Sequence, residues 1–502
     1  MNQLQRYLSK VFTVDLRALA IMRIWVAGII LTDLAIRATD LEAHYSNMGV
    51  LPLHVLHQFG WNPYHFSFHT LSGLWQVQAL LFLIAAVFAG CLLVGYKTRT
   101  ATIVSWVLLV SLQNRNTFIS QGGDDLLRML LFWGMFLPWG RFYSYDATKT
   151  ERPLQTTYFS AATAAYIMQI FLVYFCTALL KNSPEWNQDG TALYYALSLD
   201  QILMPAGKLI YPYPELLRFM TLGTWYTELL LPFLLLIPFY NSVFRLIVIG
   251  VLFGFHIGIS LTLFVGLFYL INIASIVGLL PPNAMDWIEK RFLSSFRRPL
   301  TGQFQRIFRG FRSPGTLQVQ FSMQRPLLSK RQLRYLRDSF VSLVLLYCIW
   351  WNISGTDLRV PDMPASATWF GNLLRVDQRW GMFAPAVFKH DGWYVLEGHT
   401  ASGQLIDLNQ EGKAADYAKP ASVVSMFKND RWRKYSENYL FVNHAFLRPY
   451  YCNYLVRRWN EAHPQNPVKE LQVVYMKEYT LPDYQPVVPE REVLCTCANL
   501  PE

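Results

Sequence analysis

Long apolar stretches separated by short polar segments dominate the first two thirds of the chain. Nine of them are apolar enough to be candidate membrane spans. A helix needs about 20 apolar residues to cross the hydrocarbon of a bilayer, because it rises about 1.5 Å per residue. The predicted spans are residues 17–37, 75–95, 100–114, 124–140, 162–182, 219–239, 243–262, 264–281 and 339–353. The third and fourth are short for a bilayer, so we expect them to be tilted or packed within the bundle.

The pattern changes after residue 353, where polar and apolar residues are mixed. Residues 392–398 and 404–408 are strand-like and flank Ser402 and Gly403, which predicts a β-hairpin. Residues 471–479 alternate and predict another strand, and we expect helix within 427–460.

These patterns predict a mainly α membrane protein, a polytopic helical bundle of about eight or nine transmembrane helices followed by an α+β domain. The predicted units are a transmembrane bundle (1–283), a basic loop (284–338), a last transmembrane helix (339–353) and the α+β domain (354–502). Composition agrees, since 53% of the residues are hydrophobic and only 15% are charged, whereas soluble domains average about 25% charged residues. Residues 1–16 are short, polar and basic, and no cleavable signal peptide is evident.

The net charge of +11 is concentrated in one part of the chain. The segment from residue 285 to 338 is strongly basic and lies between two predicted spans, as the positive-inside rule expects of a cytoplasmic loop. With nine spans, this rule predicts a cytoplasmic N-terminus and an extracytoplasmic C-terminal domain. The basic loop is suited to contact anionic membrane lipid. No base-reading motif accompanies the charge, which argues against nucleic-acid binding.

The fifth predicted span belongs to the stretch YIMQIFLVYFCTALLKNSPEW, in which Lys181 stands at the end of the apolar run. A lysine there can anchor the helix, with its stem along lipid and its ammonium among the headgroups. A lysine in a low-dielectric site also loses its proton more easily and can act as a base. Both interpretations of Lys181 stay open at this point.

The loop before the fourth span, NRNTFISQGGDDLLR, places two carboxylates and an arginine at a membrane boundary. Asp124 can cap the next helix, and Asp125 favours its positive end. Together with Arg128, they could also line a substrate or lipid entrance, or set the protonation of Lys181 if the helices meet.

Other polar residues fall inside apolar runs and need partners there. His256 is either a packed, hydrogen-bonded group or a functional one, and Glu228 requires an unidentified partner. Arg23 and Asp33 are ten residues apart and cannot pair within one helix, so we expect both to face other helices.

Histidine and cysteine spacing gives two further hypotheses. His54 and His57, and His65 and His69, are spaced so that each pair can share a helix face and hold zinc, but no cysteine or carboxylate lies beside them. Cys91, Cys176 and Cys348 lie in spans and are interpreted as packing residues. Cys452, Cys495 and Cys497 lie in the predicted exported domain, where Cys452 can form a disulfide with either Cys495 or Cys497.

Several stretches resemble the vitamin K-dependent γ-carboxylase-like family, also called horizontally transferred transmembrane (HTTM) domain proteins. They are QIFLVYFCTALLKNSPEW, NRNTFISQGGDDLLR, FGFHIGISLTLFVGLFYLINIASIVGLL, RWGMFAPAVFKHDGWYVLEGHTASGQLIDLNQEG and RWRKY. The resemblance implies a lyase-type carboxylase chemistry with reduced vitamin K or menaquinone as cofactor. Lys181 matches the family's basic lysine, and His256 matches a histidine of the seventh span.

The chain departs from the carboxylases before the fourth helix, where they carry a histidine and this chain has QGGDD. Loss of an electrostatic stabiliser can cost several kcal/mol of barrier, which argues against peptide γ-carboxylation itself. Two hypotheses follow. The first is an enzyme that uses a reduced quinone-like lipid with Lys181 as base. The second is a non-catalytic membrane anchor or scaffold that presents an exported domain to a protein or peptide partner.

Overall fold

The computed structural model describes residues 3–149, 155–293, 329–485 and 487–498. Most of these residues are helical. The principal helices are α1 (Gln3–Phe12), α2 (Leu16–Ala38), α3 (Trp75–Val94), α4 (Thr98–Arg115), α5 (Gly122–Gly134), α6 (Ala161–Leu180), α7 (Pro214–Leu230), α8 (Asn241–Thr262), α9 (Phe268–Val277), α10 (Pro282–Ile288), α11 (Lys330–Ser354), α12 (Ala365–Leu374), α13 (Asp430–Leu440) and α14 (Arg448–Ala462).

Six helices among the described residues are long and apolar enough to cross a membrane, which supports the predicted membrane class. They are Leu16–Ala38, Trp75–Val94, Ala161–Leu180, Pro214–Leu236, Asn241–Thr262 and Arg331–Ser354. A seventh span arises if Phe268–Val277 and Pro282–Phe292, which meet at a bend of 107°, are taken together.

The other three predicted spans contain helices that are more polar or shorter than a membrane span requires. Residues 100–114 lie in α4, which is helical but carries several polar side chains. The predicted span 124–140 is too long, because α5 ends at Gly134 and its 13 residues reach only about 20 Å. The predicted span 264–281 contains only the ten residues of α9. Nearly all of α5 is buried, so it forms the centre of the bundle.

A close aromatic contact follows the end of α5. The Trp139 ring folds back onto Gly134, where an added Cβ would lie 2.4 Å from the ring. The indole Nε1 donates to Thr102 Oγ1 at 3.1 Å. The chain therefore turns within the bundle at the point where a longer span was expected.

The two ends of the bundle are occupied by different parts of the chain. At one end, Arg17 pairs with Asp286 at 2.7 Å, and β1 (Val14–Asp15) pairs with β2 (Thr157–Tyr158). At the other end, loops of the bundle pack against the C-terminal domain. For example, Trp186 Nε1 donates to the Phe383 carbonyl oxygen at 2.9 Å.

The C-terminal domain contains a five-stranded antiparallel sheet in the order β5-β4-β3-β6-β7. Its strands are β3 (His390–Thr400), β4 (Leu405–Asp407), β5 (Lys413–Ala414), β6 (Val468–Tyr479) and β7 (Glu490–Ala498). The predicted hairpin is present between β3 and β4, and Gly403 in its turn has a φ of +81°. The predicted strand 471–479 lies in β6, while the expected helical region forms α13 and α14.

The last membrane helix differs from its prediction at the N-terminal end. It begins at Lys330 rather than at residue 339, because Ser329 caps a polar segment that extends the helix ahead of the apolar run. Of the predicted basic loop 284–338, residues 294–328 lie outside the described residues.

Candidate functional site

The end of α6 places a lysine in a buried ion pair. Lys181 caps the C-terminus of α6, where its backbone N–H donates to the Thr177 and Ala178 carbonyls. Its Nζ lies 2.6 Å from Glu228 Oε2 on α7, and each residue is only 4% exposed. Charges within a membrane protein are expensive to bury unless they are paired. The partner that the sequence left unidentified for Glu228 is therefore Lys181.

An aromatic residue completes the surroundings of this ion pair. Lys181 Nζ lies 4.2 Å from the centroid of the Trp186 ring, which is close enough for a cation–π interaction. Trp186 is fixed in turn, because its indole N–H donates to the Phe383 carbonyl of the C-terminal domain. The lysine that the sequence places at a helix exit is thus enclosed by Glu228, Trp186 and the adjoining domain.

A second polar group lies deeper along the same helix. Tyr174 precedes Lys181 by seven residues, so the two share one face of α6 and are about 10 Å apart along its axis. The Tyr174 hydroxyl lies 2.7 Å from His256 Nε2 and 3.4 Å from Asn272 Oδ1. His256 is 1% exposed, and among the described residues nothing forms a hydrogen bond with its Nδ1.

Asp124 does not contact Lys181 but joins a network of four buried charges. Arg37 donates to Asp33 Oδ2 and to Asp124 Oδ1, both at 2.8 Å. Arg431, from α13 of the C-terminal domain, donates to Asp33 Oδ1 at 2.7 Å and to Asp124 Oδ2 at 2.6 Å. The two arginines balance the two aspartates, and we call this set the buried charge network.

The pKa of Arg431 follows from its position in this network. Burial lowers its pKa, but Asp124 and Asp33 outweigh that effect and raise the pKa well above its usual range. Arg431 therefore stays charged and holds the C-terminal domain on the bundle. The sequence signal for the Asp33 pairing was its spacing of four residues from Arg37. Arg431, which lies in the RWRKY motif, carried no signal for this contact.

Arg128 is directed toward the segment that follows α12. Its guanidinium donates to the carbonyl oxygens of Arg375 and Asp377, each at 2.7 Å. It also pairs with Asp125 at 2.9 Å. The predicted entrance residues Asp124, Asp125 and Arg128 thus lie together, with Asp124 and Arg128 engaged in contacts between the bundle and the C-terminal domain.

Arg23, the other arginine considered in the first predicted span, faces other segments, as expected from its spacing. Arg23 donates to the carbonyl oxygens of Leu92 at 2.9 Å and Tyr143 at 2.5 Å. It therefore ties α2 to the end of α3 and to the segment after α5.

Each of the four histidines considered for zinc has an aromatic or hydrogen-bonding neighbour. His54 lies 3.3 Å from the Tyr450 hydroxyl, and His69 Nδ1 lies 2.6 Å from Gln78 Oε1. The rings of His57 and His65 pack against Trp61. Within the described ranges, the histidines do not belong to any group of three ligands close enough for a metal ion.

One acidic cluster does occur, at the edge between the bundle and the C-terminal domain. Carboxylate oxygens of Asp200, Asp391 and Glu478 lie within 4.8 Å of one another. Lys419 pairs with Asp200 and Glu478, both at 2.6 Å. Burial, with a contribution from the Asp200 charge, raises the pKa of Asp391 to about 8. Asp391 is therefore largely protonated at neutral pH.

The structure distinguishes between the two disulfide pairings considered for Cys452. Cys452 of α14 forms a disulfide with Cys497 of β7, and Cys495 is a free thiol. The disulfide fixes the edge strand of the sheet to the helix that packs on it.

Comparison with protein-family models, with curated proteins and with solved structures gives no match to this chain.

Proposed function

We propose that this protein is an integral membrane enzyme that uses a reduced quinone-like lipid and that Lys181 is its base. The observation that carries the proposal is the buried Lys181–Glu228 ion pair beside Trp186. The sequence resemblance to vitamin K-dependent γ-carboxylase-like proteins supports the same role for Lys181. An ionisable pair buried in a membrane bundle is a functional-site hypothesis on physical grounds alone.

The pair provides a way to form the neutral amine that a base requires. A proton moved from Lys181 Nζ to Glu228 Oε2 converts ammonium and carboxylate into amine and carboxylic acid. The net charge of the buried site is zero before and after the transfer, so the low dielectric does not oppose it as it would oppose an isolated charge. The amine can then take a proton from a hydroxyl of the lipid.

The surroundings fit a quinone-like group. His256 Nδ1 is a buried polar atom without a partner among the described residues, and it lies among the apolar side chains of a membrane helix. It is suited to hold an oxygen substituent of a ring, while Tyr174 orients the imidazole through Nε2. A reduced quinone such as vitamin K or menaquinone would supply an acidic hydroxyl and the electrons for oxygen chemistry.

Peptide γ-carboxylation is not part of this proposal. The QGGDD segment holds no histidine, and its Asp124 is committed to Arg37 and Arg431. The group that the enzyme finally deprotonates is therefore of another kind than a glutamate positioned by that segment.

We further propose a cytoplasmic N-terminus and an extracytoplasmic C-terminal domain, which requires an odd number of crossings, such as the seven obtained when the bent pair is counted as one span. The basic residues at the N-terminal end of the bundle and the Cys452–Cys497 disulfide of the opposite domain support this orientation.

The test is lysine-dependent turnover of reduced menaquinone by the purified full chain in nanodiscs. Oxygen uptake and quinone epoxide are followed for the wild type, for Lys181→Ala and for Lys208→Ala, which replaces an exposed lysine at the same end of the bundle. The proposal expects epoxide from the wild type and Lys208→Ala only. Equal turnover by Lys181→Ala, or none by the wild type, would overturn it.

A specific observation also favours the second hypothesis, an anchor that presents the C-terminal domain to an exported protein or peptide. Arg431 and Arg128 fasten this domain to the bundle through buried contacts, as a scaffold requires. Under this alternative, Lys181→Ala leaves partner capture unchanged, and no quinone turnover is found.

A further inference from the structure

The C-terminal domain contains a cavity that the proposed quinone chemistry does not use. Its volume is about 170 Å³. It lies between β3, α13, α14 and the segment that precedes α13. The residues that form its walls include Trp393, Tyr394, Trp432, Tyr451, Tyr454 and Leu455.

Half of the residues that line the cavity are aromatic, and their positions are fixed by neighbouring residues. Trp432 and Tyr454 lie with their ring centroids 6.2 Å apart and their planes within 29°. His44 of the bundle packs on Trp432 at 4.3 Å between centroids. The neighbouring Arg431 belongs to the buried charge network, so the helix that carries Trp432 is fixed at this position.

Hydroxyl groups break the apolar lining. Ser436, Tyr451 and Tyr454 line the cavity, and within the described part of the chain their hydroxyls form no hydrogen bond with another residue. Burial raises the pKa of Tyr454 above that of an ordinary tyrosine, and its hydroxyl is a hydrogen-bond donor. The cavity thus offers flat apolar faces together with hydroxyl groups that are free to bind a ligand.

Charge decides which ligands suit the cavity. None of the described residues that line it is acidic, and the one basic residue, Lys428, is bound to Asp40 at 2.7 Å. A cation would therefore meet an ammonium and find no carboxylate among the lining residues. An uncharged ligand with an oxygen substituent fits better.

From these features, we propose that the cavity binds a single phenol-like ring. An apolar cavity of about 150 Å³ accommodates benzene, so this one has room for one ring and a small substituent. The aromatic walls would stack on the ring or meet its edge. The hydroxyls of Ser436, Tyr451 and Tyr454 would bind its oxygen. This chemistry belongs both to free phenols and to the tyrosine side chain of a peptide.

The test uses 4-fluorophenol, observed by ¹⁹F NMR, with the full chain in nanodiscs. Ser436→Leu and Leu455→Phe each fill the cavity from a different wall. Ser425→Leu is the matched control, since Ser425 is exposed and lies in the same domain outside the lining. Probe that partitions into lipid gives the same signal in all variants and is subtracted.

We expect saturable binding to the wild type and to Ser425→Leu, and an affinity at least about tenfold weaker in both filled variants. 4-Fluorotoluene, which lacks the hydroxyl, should bind more weakly than 4-fluorophenol. Competition by N-acetyl-tyrosinamide would assign the site to a peptide side chain, and its failure to compete would assign the site to a free phenol. Binding that is absent, or unchanged by both filled variants while their thermal unfolding stays cooperative, would overturn the proposal.

Discussion

Arg431 Nη1 lies 2.6 Å from Asp124 Oδ2, although 307 residues separate them in the chain. The contact joins the C-terminal domain to the central helix of the bundle, and both residues are buried. Because Arg37 and Asp33 share the same site, Arg431 is needed to balance the two carboxylates.

Replacing Arg431 should detach the C-terminal domain. Arg431→Leu leaves Asp33 and Asp124 with Arg37 alone, and breaking a buried pair costs about 3–5 kcal/mol. We expect a lower thermal unfolding temperature and faster proteolysis between residues 355 and 390. Arg458→Leu removes an exposed arginine of α14 that lies 3.9 Å from Glu42 of the bundle; it is the control and should change little, because exposed ion pairs contribute little to stability. Unchanged proteolysis of Arg431→Leu would show that other contacts suffice.

The Lys181–Glu228 pair can be separated into its structural and chemical parts. Glu228→Gln leaves a buried ammonium without its carboxylate and should destabilise the protein by about 3–5 kcal/mol. The double variant Lys181→Met/Glu228→Leu removes both charges and should recover most of that stability. Under the proposed function, it stays inactive toward reduced menaquinone. Activity in the stable double variant would exclude Lys181 as the base.

The free energy of unfolding should fall as the pH rises, because the folded protein keeps a proton on Asp391. Its pKa is raised to about 8 in the folded protein, so the folded state holds a proton that the unfolded state loses above its ordinary pKa near 4. The stabilising effect is complete below pH 4 and is lost as the pH rises toward 8. We expect Asp391→Asn to flatten the unfolding temperature between pH 5 and 8. An identical slope in the variant would show that Asp391 is ionised throughout.

The disulfide should contribute to stability, whereas the neighbouring thiol should not. Cys452 and Cys497 are separated by 45 residues, and closing a loop of that length typically adds about 2–5 kcal/mol. Cys497→Ser should therefore lower the unfolding temperature, and Cys495→Ser should leave it unchanged. A reversed result would indicate that Cys452 pairs with Cys495. In cells, a maleimide reagent should label two more cysteines of this domain after reduction than before it. This result would support the location of the domain in an oxidising compartment.

The helical and hairpin segments were predictable because each has a local cause. Apolar runs marked the membrane helices, and Ser402 and Gly403 marked the turn between β3 and β4. The sequence does not predict the edge strand β7, because its residues EREVLCTCA are charged at one end. The strand pairs with β6 along one side only. The length of α5 was overestimated because hydropathy does not register that Trp139 folds back on Gly134.

The candidate site was predictable residue by residue but not as an arrangement. Lys181 and Glu228 are each recognisable as a charged residue in an apolar run. The sequence, however, gives no distance between two helices. The sequence allows Asp124 to approach Lys181. In the structure, however, the partner of Asp124 is Arg431, which comes from a distant domain. Long-range partners of this kind have no periodicity by which to recognise them.

The buried charge network also bears on the order in which the protein can be made. Asp33 and Asp124 are synthesised early with Arg37, and this part of the bundle then carries one negative charge in excess. Its counter-charge, Arg431, emerges only after the last membrane helix. A chain that stops before α13 is thus left with an unmatched carboxylate inside the bundle.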